Sequence, residues 1–93
     1  MIPVLLLTGP VGPVPEILTA YISTAMPPSL LPSDLVLDAS QPEFASTNLA
    51  QVSLLRLHKL ATLHQRDLIR HVGAMSPTAM QQAESRLRTL LNL

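Results

Sequence analysis

The 93-residue chain has no cysteine and no tryptophan, three glycines, and only two aromatic side chains, Tyr21 and Phe44. Without cysteine there is no disulfide framework, no thiol nucleophile and no zinc-thiolate site, and a reducing cytoplasm is the expected compartment. With two aromatics, a nucleic-acid platform that stacks several bases on several rings is excluded. Charge is scarce as well. Lys+Arg and Asp+Glu each count six, so the formal net charge is zero, and no broad field gathers nucleic acid or anionic lipid; any such contact must be local. There is no Gly-rich phosphate loop, because GPVG is hemmed in by proline, and no G-x-S-x-G context surrounds a serine. His58, His64 and His71 stand six and seven residues apart, a spacing that suits no common zinc site, and no metal or other cofactor is expected. No window approaches the roughly 18 continuous apolar residues of a membrane span. The apolar start VLLLTGPVGPVP lacks a basic lead-in and is broken by Pro10, Pro13 and Pro15, which argues against a secretory leader.

What is present is aliphatic, with 47% hydrophobic residues in a length that suits one domain. Ile2 to Thr8 is a short apolar run bounded by Gly9-Pro10, the profile of a strand buried on both faces. After the stiff GPVGPVP loop, Glu16 to Thr24 alternates as a second strand. AMPPSLLPS places three prolines in nine residues and ends that strand by Ala25. Ser33 to Asp38 predicts a third strand, and Ala39 to Gln51 has no period and predicts a loop or a short turn-like segment. Val52 to His58 predicts a fourth strand that turns Arg56 and His58 to one face, and Leu68 to Val72 a fifth, ended by Gly73. Ser76 as N-cap and Pro77 at the first helical position open a helix to about Leu91. Its Met80, Ala83, Leu87, Leu90 and Leu91 recur at helical spacing and are expected to face the sheet, with Gln81, Gln82, Ser85, Arg86 and Arg88 opposite. Several short strands followed by one helix predict a mainly β fold, a small antiparallel barrel or curled sheet closed by a C-terminal α-helix.

The stretch VSLLRLHKLATLHQRDLIRHVGAMSPTAM resembles the MazF/PemK family of toxin-antitoxin ribonucleases, in a strand with L-x-K-L-A-T-L, a later glycine at Gly73 and an S-P helix start. TAYISTAMP is similar to the family strand that ends in I-T-S before a proline-bearing loop, and IPVLLLT to the strand beginning R-P-x-L-V-L. The resemblance spans nearly all of the chain and implies a single MazF/PemK-like domain over 1–93 with an SH3-like barrel, of the superfold that also includes the CcdB-like toxins. Family members carry one more strand ahead of R-P, so the resemblance makes MIPVLLLTG the family's second strand in an N-terminally shortened domain. An apolar strand without its usual neighbour predicts self-association, hence a homodimer.

The resemblance also implies metal-independent cleavage of single-stranded RNA with the 2′-hydroxyl as nucleophile, inhibited by an antitoxin protein. Such a reaction needs a base for that hydroxyl, an acid for the leaving 5′-oxygen and donors for the phosphorane. In the family these tasks fall largely on the arginine of R-P and the hydroxyl of I-T-S. The matching positions here are Ile2, which can neither shuttle a proton nor pair with phosphate, and Ile22-Ser23-Thr24, which keeps hydroxyls. Lys59 falls where many members carry glutamine or lysine near the RNA groove. Arg56 and His58, on one strand face, could supply a phosphate clamp and a proton carrier. The candidates are therefore Ser23 and Thr24 for catalysis, and Arg56, His58 and Lys59 for RNA. Each has a plainer reading: strand-end hydroxyls often satisfy turn backbone groups, and Arg56, His58 and Lys59 can simply mark a solvated side. Ile2 keeps a non-catalytic alternative open, an interaction module that binds an antitoxin or its own copy. The gyrase-poisoning branch of the superfold is set lower, because its C-terminal helix residues are not matched.

Overall fold

The computed structural model describes residues 2–93. Alternating apolar residues in Glu16–Ser23 form the central strand β2, which pairs antiparallel on one side with β1 (Val4–Leu6) and on the other with β4 (Ser53–His64). The short β3 (Asp34–Leu37) closes the sheet on the far side of β4, giving the order β1-β2-β4-β3. One helix, α1 (Pro77–Leu91), follows, so the mainly antiparallel fold with a C-terminal helix is the one the sequence predicts.

The core forms where strand residues of one parity meet the helix. Ala20, Ile22, Leu35, Leu37, Leu55 and Leu57 pack with Phe44, Ala79 and Ala83, and Leu5, Leu7 and Leu87 flank this cluster. Between β2 and β4 the register is interrupted: Tyr21 faces Arg56 while its neighbour Ala20 faces Leu60. Leu57, His58 and Lys59 therefore have no partner on β2, and this bulge bends β4 and curls the sheet.

Several expectations change. The first strand is not buried on both faces; β1 is an edge strand whose Leu6 is 43% exposed, because only β2 lies beside it. The fifth strand over Leu68 to Val72 does not form. β4 runs on to His64 and takes that side of Glu16–Ala20, and the later segment pairs with neither remaining sheet edge. That segment docks on a short 3₁₀ helix, Pro42–Thr47, which lies within the predicted loop and buries Phe44 and Thr47. Ala74 donates its N–H to Ser46 O (2.9 Å), the Ser46 hydroxyl donates to Ala74 O (2.7 Å), and Asn48 Nδ2 donates to Val72 O (3.1 Å).

The helix begins as predicted, with Ser76 Oγ accepting from Ala79 N (3.1 Å) while donating to Glu43 O (2.7 Å). Its buried face, however, is rotated from the predicted stripe. Ala79 and Ala83 are buried, Met80 and Leu87 are half-buried, and Leu90 and Leu91 are exposed. Small side chains let the helix approach the sheet closely, and the rotation draws Arg86 inward to donate from Nε to the Asp34 carbonyl (3.2 Å). At the end of β3, Ser40 donates its hydroxyl (2.7 Å) and its N–H (3.0 Å) to Asp38, which hold that carboxyl below the usual carboxylate range. Among the described residues no helix is long and apolar enough to cross a membrane.

Candidate functional site

Antiparallel register puts directly opposite residues on one face, so the pairings Val4 with Tyr21, Tyr21 with Arg56 and Arg56 with Asp34 define one row across all four strands. At this row, where β2 runs out into the proline-bearing loop, lies an open cavity of about 490 Å³. Its wall includes Ile2, Tyr21, Ser23, Thr24, Arg56 and Lys59. Strand end and bulge explain the grouping. β2 delivers the two hydroxyls at its last residues, the ladder delivers Arg56, and the bulge carries Lys59 to the same opening.

Four of the five candidate residues thus meet around one cavity; His58 does not line it. Arg56 and His58 do turn to a common side, where both approach Asp34 Oδ1, but only Arg56 reaches the opening. His58 Nδ1 stands 3.9 Å from Asp34 Oδ1, beyond hydrogen-bond range.

Asp34, which lies within the predicted third strand, is a site residue that no sequence motif singles out. Its side chain is fully buried, and it accepts from Arg56 Nε on Oδ1 and Arg56 Nη2 on Oδ2, each at 3.2 Å, and from Leu31 N on Oδ2 at 2.9 Å. The fork-on-carboxylate geometry is the strong form of an ion pair. The only sequence signal was an acid one residue inside SDLVLD and an arginine inside VSLLRLH, and their opposition depends on a register that neither stretch specifies.

Ser23 Oγ accepts from Ala25 N (3.1 Å), the turn role its position allowed for, which leaves the O–H free to donate. Among the described residues Lys59 makes no salt bridge. The cavity wall therefore offers an ammonium, the free edge of a guanidinium, two aliphatic hydroxyls and a phenol. All of these can donate to an anion, and the phosphodiester is the biological anion that such a spread of donors suits. No carboxylate or imidazole lines the opening, so groups that accept a proton readily near neutral pH are absent from its wall. Among the described residues no cluster of three His, Cys, Asp or Glu side chains could share a metal ion.

A four-stranded antiparallel sheet closed by a C-terminal helix, with a donor-lined cavity at the strand ends, has the fold of the small toxin endoribonucleases of the MazF type. Specifically, the structure is similar to that of Mycobacterium tuberculosis toxin MazF-mt6, with a TM-score of 0.77 and 22% identity over 99% of this chain and 87% of that one. It is also similar to an endoribonuclease from Mycobacterial species (TM-score 0.66, 19% identity) and to one in complex with its cognate antitoxin (TM-score 0.67, 19% identity). This chain covers 65% and 66% of those two proteins, with 84% of its own length matched in each case. No protein-family model matches the chain, and no curated protein matches its sequence. At these identities the shared property is the fold.

Proposed function

We propose that this chain is the toxin component of a toxin-antitoxin pair in a reducing cytoplasm, and that it binds single-stranded RNA in the cavity and cleaves it slowly without metal. The observation that carries the reading is the gathering of Ser23, Thr24, Arg56 and Lys59 around one opening of a MazF-type fold. In the reaction the 2′-hydroxyl oxygen attacks the adjacent phosphorus as its proton passes to solvent water, the bond from phosphorus to the 5′-oxygen breaks, and that oxygen takes a proton back from water, with no net proton gained or lost. Lys59, Arg56 and the hydroxyls of Ser23 and Thr24 donate to the phosphorane oxygens as charge builds on them. Ile2, 65% exposed in the same wall, adds neither charge nor proton, and the loss of one such group typically removes about 10² to 10³ in rate. An antitoxin protein is the natural inhibitor of such a site. A second copy is the expected self-partner, because the outer edge of β1 has no neighbouring strand among the described residues.

The test is cleavage of an end-labelled single-stranded RNA in the presence of a chelator. Slow cleavage is expected, raised about tenfold or more by Ile2→Arg and strongly reduced by Lys59→Ala. Activity that survives Ser23→Ala and Thr24→Ala but disappears with His58→Ala would overturn this site. Ile2 and the engagement of Arg56 by Asp34 also favour the alternative of a non-catalytic binding module, for which RNA or antitoxin binding persists while Ile2→Arg restores no cleavage.

A further inference from the structure

We infer that Asp34 is a positioning residue for Arg56, holding the guanidinium at the cavity with its charge already compensated, so that Arg56 recognises an anion by direction and leaves the net attraction to Lys59. The inference rests on the RNA-binding reading of the cavity and concerns how that site distinguishes its ligand. Asp34 is fixed from three sides. Its carboxylate takes two N–H groups from Arg56 and one from Leu31, and its backbone carbonyl takes the Arg86 Nε–H from the helix. Among the described residues Arg56 Nη1 has no hydrogen-bond partner and no buried side-chain nitrogen lacks one, so Nη1 reaches solvent. Arg56 also lines the cavity, which makes its uncommitted edge the one available there. His58 Nδ1 lies 3.9 Å from the same Oδ1, so Arg56 is the side chain that hydrogen-bonds the carboxylate.

A compensated guanidinium releases few counterions when it meets phosphate, whereas a free one behaves as a full cation. With a 2′-deoxy trinucleotide, which lacks the nucleophile and cannot be cleaved, the dependence of log Kd on log salt should reflect Lys59 alone, a slope of magnitude about 0.7. Between 50 and 200 mM salt the native chain should then lose about threefold in affinity. Asp34→Asn frees Arg56 and should raise the slope to about 1.4, a loss of about sevenfold over the same range, and the double variant Asp34→Asn with Arg56→Gln should return it to the native value.

Binding by Asp34→Asn with the native slope would overturn this inference and leave the RNA reading standing. No binding by any of the proteins would overturn both. Should Asp34→Asn fail to fold, the native chain decides alone, because a slope of about 1.4 or more there means that Arg56 is already uncompensated. A purely structural Asp34 would lower the melting temperature without moving the slope.

Discussion

Arg56→Met is expected to cost about 3 to 5 kcal/mol of stability, and Asp34→Asn only about 1 to 2, although both remove the same ion pair. The difference lies in the group left behind. Without Arg56, a carboxylate with no exposed side-chain surface keeps only the Leu31 N–H, and an uncompensated buried charge is the costly outcome. Without the Asp34 charge, Arg56, already 16% exposed at the cavity, can turn its guanidinium to water. The pair of changes Asp34→Leu and Arg56→Met together should be close to neutral, since apolar replacement of a buried pair removes its desolvation cost as well. A 93-residue domain has about 5 to 14 kcal/mol in total, so the single Arg56 change takes a large share of it. Denaturant unfolding of the four proteins measures these losses, and equal losses for the two single variants would refute the assigned burial.

Gly73→Ala should cost about 3 kcal/mol and lower Tm by more than about 10 °C. A Cβ at Gly73 would overlap the carbonyl oxygens of Ser46 and Thr47, and these are backbone atoms of the 3₁₀ helix that cannot swing aside. The clash therefore either pushes the Leu68–Ala74 segment away from that helix or distorts the helix that buries Phe44. Gly9→Ala is the matched control, because its Cβ meets nothing within 4 Å and its φ is ordinary, and it should melt close to the native chain. Coincident melting of the two variants would mean that the docked segment is not part of the cooperative structure.

Elements whose signal is local were legible in the sequence. The proline and serine at the start of α1 and the alternation of β2 each specify an element without reference to distant residues, and both lie within a residue of their predicted bounds. Elements that depend on a partner were not. Leu68 to Val72 has the composition of a strand, but whether it becomes one depends on who takes the open side of β2, and the continuous β4 takes it. The helix face was legible at Ala83 and partly at Met80 and Leu87, but Ala79 carries too little hydrophobic weight to be read from sequence, and only the packed helix shows that close approach prefers it to Leu90 and Leu91. The candidate site divides the same way. Ser23, Thr24 and Lys59 could be singled out from short motifs, whereas the pairing of Asp34 with Arg56, and the opening of the cavity beside Arg56 and Lys59 without His58, follow from register and from the bulge.

The interruption at Leu57–Lys59 also divides the molecule along the length of β4. On one side, Leu54, Leu55 and Arg56 are flanked by both β3 and β2; on the other, Leu60–His64 pairs with β2 alone, as a ribbon with Glu16–Ala20 that β1 supports only at its inner end. Backbone amides on the two sides therefore belong to different cooperative units, with the ribbon opening and exchanging its hydrogens with solvent at lower free energy than the four-stranded part. The residues that gather at the cavity sit at the seam or on its four-stranded side, so the ribbon can fray and re-form while Arg56 and Asp34 stay in place.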